Sequence, residues 1–340
     1  MRRIALFVLL VMVATMVVAC GGGSSTPTPA GESTSTAQAN PTAGEASPTA
    51  TASNGAPSGE TGSRNLIYGF NVFARGDDQG AEFNDKVIDM VTGAGFDWVR
   101  IQIEWSQFER AKGQWDPLPT DRIVDQFEAR GVNVLATIVK APDWARDPSG
   151  QQLLSDYNDF AEFVRFVVGR YHGKVDAWEI WNEQNLAHEM GGTVRVEDYA
   201  KMLEAAYQAA KSVDRSAVIV FGGLTPTGVN DPSVAIDDVA YLESFYALEN
   251  GRYAMYFDVL GAHVNATNHP PDKMFPDNPG EGNWADHPSF YFRRAEQLHE
   301  VMAKYGDPRP VWITEFGWTT ANQASGYEYG ADVSEQDQAD

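Results

Sequence analysis

Apolar residues along this chain follow two alternating rhythms. From residue 66 onward, short apolar runs of strand length are followed by longer stretches in which apolar positions recur every three or four residues. The short runs predict strands at 66–72, 98–103, 132–139, 175–181, 217–221, 257–264 and 311–315. The intervening stretches predict helices at 83–91, 123–129, 155–171, 196–213, 239–248 and 290–305. In the third of these, Phe160, Phe163, Val164, Val167 and Val168 share one side. Gly93-Ala94-Gly95 stops the first helix and Gly131 the second. Strands alternating with helices over this length predict an α/β fold, a parallel sheet of the (β/α)8 TIM barrel kind. A doubly wound sheet is the competing architecture, but the Gly-x-Gly-x-x-Gly turn it favours is missing after the first strand.

The alternation stops early. Ser334-Glu335-Gln336-Asp337 reads as a helix start, with Ser capping and Asp three residues on. No eighth strand follows, so the expectation is a barrel truncated after strand seven. An open seven-stranded barrel would leave strands one and seven with unpaired edges.

The N-terminal part does not share these rhythms. Met1-Arg2-Arg3 is basic, residues 4–18 are an apolar run, and Val17-Val18-Ala19-Cys20 closes it. That is the layout of an export signal, and the run is short for a membrane helix. Its ending on cysteine resembles the bacterial lipoprotein signal. The resemblance implies cleavage before Cys20, a lipid anchor on its thiol, and an extracytoplasmic location at the cell membrane. Residues 21–62 are Gly, Ser, Thr, Pro and Ala with few large apolar groups, which predicts a disordered spacer. The expected divisions are a signal peptide at 1–19, a linker at 20–63 and one domain at 64–340.

Acidic residues number 47 against 25 basic, a net charge of −22. Such a surface argues against nucleic acid as a partner, which needs clustered Lys and Arg, and suits a neutral ligand such as a sugar. Cys20 is the one cysteine in the chain, so the domain offers no disulfide and no thiol nucleophile. The six histidines show no metal-binding spacing, and no metal or cofactor is expected.

Two strands end on carboxylates. Strand four runs into Trp181-Asn182-Glu183, and strand seven ends Ile313-Thr314-Glu315. Opposite strands of a small barrel can present both to one sugar ring. A retaining glycosidase needs one carboxyl as proton donor and one as nucleophile, about 5 Å apart; an inverting one separates the pair further to admit a water. The donor must be protonated, and burial beside another carboxylate is expected to raise its pKa, whereas the nucleophile must stay charged. Glu179, four residues earlier on the same face, is expected to form a hydrogen bond inside the barrel. Trp105, Trp144, Trp284 and Trp318 fall in strand-exit segments and could offer flat apolar faces to sugar.

Glu179 to Asn185 (Glu-Ile-Trp-Asn-Glu-Gln-Asn), together with Ile313-Thr314-Glu315-Phe316, resembles the clan A glycoside hydrolases, most closely families 39 and 5. The resemblance covers the chain from about residue 66 to the end. It implies a retaining enzyme on β-linked sugar, with Glu183 as acid/base and Glu315 as nucleophile. It further implies that Asn182 bonds the sugar 2-hydroxyl and that Arg100, ending strand two, holds the nucleophile ionised. His263 then matches the strand-six histidine lining the site. Asn265 stands where these families often carry Tyr. That departure and the missing strand motivate the alternative, a carbohydrate-binding lipoprotein without turnover.

Overall fold

The computed structural model describes residues 66–282, 284–323 and 328–339, so the leader and linker lie outside the described residues. The compact unit begins at Leu66. Seven strands form one parallel sheet in sequence order: β1 (Gly69–Asn71), β2 (Trp98–Glu104), β3 (Asn133–Val139), β4 (Ala177–Ile180), β5 (Val218–Leu224), β6 (Val259–His263) and β7 (Val311–Glu315). Helices α1 (Gly80–Gly93), α2 (Leu118–Ala129), α3 (Tyr157–Arg170), α4 (Val196–Val213), α5 (Asp238–Ala247) and α6 (Arg294–Lys304) make the crossovers. The seven strands form the nearly closed arc of a (β/α)8 barrel, and among the described residues no eighth strand joins this sheet; Asn230–Asp231 and Ala235–Ile236 pair separately as a short antiparallel ribbon. On the open side β1 and β7 are joined by one side chain: Asn71 Nδ2 donates to the Thr314 carbonyl at 3.0 Å.

Periodicity located every crossover helix, because each buries a single apolar stripe against the sheet. In α3 that stripe is the predicted one, and the Asp156 carboxylate caps the helix by accepting from Asn158 N. α5 is capped in the same way by Asp237, which accepts from Val239 N and Ala240 N. The predicted start at Ser334 is also present: Asp337 N donates to Ser334 Oγ, and Ser334 N donates back to the Asp337 carboxylate. Several boundaries differ. The sixth helix begins at Arg294, after a 3₁₀ turn at Pro288–Phe290. Strand four stops at Ile180 because Trp181 turns left-handed, φ 70°.

Outward-facing residues of the strands, such as Ile101, Ile138 and Phe221, pack with the helices in the main core. Inward-facing Leu135, Ala177, Val220 and Val259 close the floor of the barrel. Above this floor the inward face turns polar, and the site lies there.

Candidate active site

Arg100 organises the barrel interior. It does not end its strand; it is the third of seven residues in β2, facing Asn71 of β1 and Leu135 of β3 in register. From there its guanidinium reaches four partners. Nε donates to Glu179 at 2.6 Å, and Nη1 donates to Glu315 at 2.7 Å and to Asn71 Oδ1 at 3.1 Å. Nη2 donates to Asn182 Oδ1 at 2.8 Å.

Glu179 is fully buried, and both of its oxygens are satisfied. One accepts from Arg100 and from Thr137 Oγ1 at 2.6 Å; the other accepts from Thr314 Oγ1 at 2.8 Å and Gly223 N at 3.1 Å. Burial pushes its pKa up, but the Arg100 charge, helped by His263 and Thr137, holds it below the ordinary value. It is therefore the interior anion that fixes Arg100, in the role its position four residues before Glu183 foretold.

The exit from β4 is bolted to β5. Glu183 N donates to the Gly223 carbonyl at 3.0 Å, Gln184 Nε2 to the Gly222 carbonyl at 2.7 Å, and Asn185 Nδ2 to the Thr225 carbonyl at 2.8 Å. These bonds hold Glu183 itself in a left-handed conformation, φ 48°, which is costly for a residue other than glycine. Gly223 must be glycine for a separate reason: a Cβ there would lie 2.3 Å from the His263 ring and 2.8 Å from Thr314 Oγ1.

His263, at the end of β6, is completely buried between the two carboxylates. Its Nδ1 lies 3.0 Å from Glu183 Oε1, and its Nε2 lies 3.7 Å from Glu315 Oε1. Burial alone would lower the histidine, but the Glu315 charge and the Glu183 bond raise it above its ordinary value. Burial alone would raise Glu183, but the bond and charge of His263, with Thr225 and Arg100, lower it. The expectation of a raised Glu183 is thus reversed. The physical reason is a cationic partner that only the fold brings within hydrogen-bond distance.

Glu183, His263 and Glu315 each place one polar atom within 4.8 Å of the others. An oxygen of Glu183, three residues past β4, therefore lies within 4.8 Å of an oxygen of Glu315, the last residue of β7. Inverting glycosidases space their carboxyls at roughly 6.5–9.5 Å and retaining ones at about 5 Å. The same trio could in principle surround a cation. Glu315 Oε1, however, already pairs with Arg100, and Glu183 Oε1 with His263.

The tryptophans divide. Trp105 is not on the cleft: it is fully buried, stacked on Phe163 at 5.5 Å, with Nε1 donating to Glu109 at 2.7 Å. The short helix Trp105–Phe108 turns it outward into the helix–sheet core. Trp144 and Trp318 keep partly exposed rings just past β3 and β7, each anchored by its indole N–H, to the Glu109 carbonyl and the His269 carbonyl respectively. Trp284 is 45% exposed in the loop after β6. The reading from sequence missed Asn71, Thr137 and Thr314. Strand register held the signal for two of them, since Asn71 pairs with Arg100 and Thr137 with Glu179.

A parallel α/β barrel with a buried arginine at its centre and two carboxylates facing each other at its C-terminal mouth belongs among the clan A glycoside hydrolases. The model of the cellulase family (glycosyl hydrolase family 5) matches residues 58–339, and the chain belongs to that family. The fold is similar to a family 39 glycoside hydrolase from Bacteroides cellulosilyticus, with a TM-score of 0.57 and 19% identity, covering 80% of this chain and 51% of that one. It is also similar to a monomeric beta-xylosidase from Caulobacter crescentus, with a TM-score of 0.53 and 15% identity, covering 76% and 52%. Among curated proteins, the chain is 26% identical over 156 residues to "Beta-glucosidase-like SFR2, chloroplastic" of Oryza sativa subsp. japonica, covering 44% of this chain and 22% of the rice protein. The chain thus spans about half the length of those two structures and about a fifth of the rice protein.

Proposed function

We propose that the protein hydrolyses β-linked glycosides with retention of configuration, Glu315 acting as nucleophile and Glu183 as acid/base. The approach of one oxygen of each carboxylate to within 4.8 Å of the other supports this reading. Glu315 attacks the anomeric carbon while Glu183 protonates the departing oxygen, leaving a glycosyl ester on Glu315. Glu183 then takes a proton from water, which attacks the same carbon and frees Glu315. Asn182, held by Arg100, presents its amide group toward the sugar 2-hydroxyl.

The surrounding groups serve both steps. Glu183 starts ionised beside His263, and the 3.0 Å contact lets the histidine pass its proton to Glu183 as substrate excludes water. Arg100 is shared by two carboxylates, so when Glu315 becomes a neutral ester, Glu179 still balances the guanidinium. Trp144 and Trp318 supply apolar faces at the mouth.

The test is stereochemical. With an aryl β-glucoside, β-xyloside and β-mannoside panel, proton NMR should show a β-anomer as first product. Glu315→Gln should cut turnover at least ~10³-fold. An α-anomer formed first, or substantial turnover by Glu315→Gln, would overturn the assignment. Binding of a panel sugar with no product from the native protein would instead favour the silent carbohydrate binder. The proposal extends to location: the leader at 1–19 is removed and Cys20 carries a lipid that tethers the domain on the extracytoplasmic side. Failure of the protein to incorporate radiolabelled palmitate, or an unchanged membrane fraction for Cys20→Ala, would refute the tether.

A further inference from the structure

On β2 the odd positions Val99, Ile101 and Ile103 are buried against the helices. The even positions Arg100, Gln102 and Glu104 therefore share the inward face and climb from the site to the mouth. Arg100 is consumed by its ion pairs. Gln102 is exposed, although its neighbours on both sides are buried. Glu104, about 13 Å along the strand from Arg100 at ~3.3 Å per residue, binds Lys140 Nζ at 2.6 Å and also accepts from Gln107 Nε2.

Lys140 comes directly after β3, where alternation would send its side chain outward. It instead adopts a left-handed backbone, φ 60°, pinned by Ser106 N donating to its carbonyl at 2.9 Å. The turn aims the ammonium back over the inward-facing carboxylate of Glu104. The side chains remain 41% and 25% exposed. A solvent-exposed ion pair contributes little to stability, less than a left-handed backbone costs a residue other than glycine. The ion pair by itself thus does not offset the strain, and such strain gathers at binding sites.

We propose that Glu104 and Lys140, with Gln102 below them, form a subsite for a neutral sugar ring of the substrate. The ammonium donates and the carboxylate accepts, the complement of two adjacent hydroxyls. Because the two charges cancel, the pair favours a neutral ring over a uronate. The subsite rests on the glycosidase reading and extends it to a substrate of at least two neutral sugar units.

Titration calorimetry on the full chain carrying Glu315→Gln tests it, with cellotriose, xylotriose, mannotriose and 6-carboxylated cellotriose as probes. At least one neutral trisaccharide should bind, and more tightly than the carboxylated one. Lys140→Met and Glu104→Gln should each weaken that binding roughly tenfold, and the double variant should lose less than the product of the two. Lys140→Gly, which relieves the left-handed strain, should weaken binding equally without lowering the melting temperature. This separates contact loss from misfolding. Sugar binding that these variants change by less than twofold, or preference for the carboxylated sugar, overturns the subsite alone. No binding by any probe likewise overturns the subsite, while the glycosidase reading stands or falls on the anomer and Glu315→Gln turnover.

Discussion

Replacing Glu179 by Gln tests whether the interior network, rather than the visible carboxylates alone, builds the site. The side chain keeps its size but loses its charge. One of its ends becomes a donor facing groups that already donate: Arg100 Nε and Thr137 Oγ1 on one oxygen, Thr314 Oγ1 and Gly223 N on the other. Removing one partner of a buried ion pair costs about 3–5 kcal/mol. Arg100 retains Glu315, so the lower end, ~3 kcal/mol, applies. At roughly 2 °C per kcal/mol for a domain of this size, melting should fall by about 6 °C. Turnover should fall further than stability suggests, because Arg100 also positions Asn182 and Glu315. Urea unfolding followed by tryptophan fluorescence gives the energy, and aryl-glycoside kinetics at a temperature where both proteins are folded gives the rate. A paired change, Arg100→Met with Glu179→Leu, should recover part of the stability while remaining inactive: it removes the buried charges together, but leaves Thr137 Oγ1, Thr314 Oγ1 and Gly223 N without their acceptor. A loss below about 1 kcal/mol for Glu179→Gln, or native-like turnover by the double variant, would refute the reasoning.

Three further outcomes follow from the same geometry. His263 is raised above 6.5, so its contribution is full below 6.5 and fades as pH rises through the raised value; Glu183 is lowered below 4.5, so its contribution is full above 4.5 and fades as pH falls through the lowered value. The stability gap between native protein and His263→Asn should therefore be widest between pH 4.5 and 6.5 in urea titrations, and a gap independent of pH would count against the ion pair. Trp105→Ala should destabilise by about 3–5 kcal/mol through loss of core packing; a mild stability loss with a raised KM would return Trp105 to the cleft. Dialysis against a chelator should leave turnover unchanged, because Arg100 and His263 already supply positive charge to Glu315 and Glu183; loss restored by a divalent metal would contradict that.

Helix and strand placement was legible in the sequence because each element buries one periodic face, and periodicity is a local property. Strand β7 and helix α4 occupy the residues the pattern predicted, 311–315 and 196–213. The catalytic candidates were legible too, since Asn182-Glu183 and Thr314-Glu315 are short motifs at strand ends. Three things were decided only by the tertiary structure. Trp105 went to the core because the short helix after β2 turned it outward, although its position at a strand exit looked like Trp144's. Glu183 acquired a cationic neighbour 80 residues away, which reversed the pKa direction that burial alone would set. Lys140 reached Glu104 through a left-handed turn that no alternation rule anticipates. Periodicity reports which face of an element is buried; the charge that faces a carboxylate depends on which strands become neighbours and on where the backbone leaves its regular conformation.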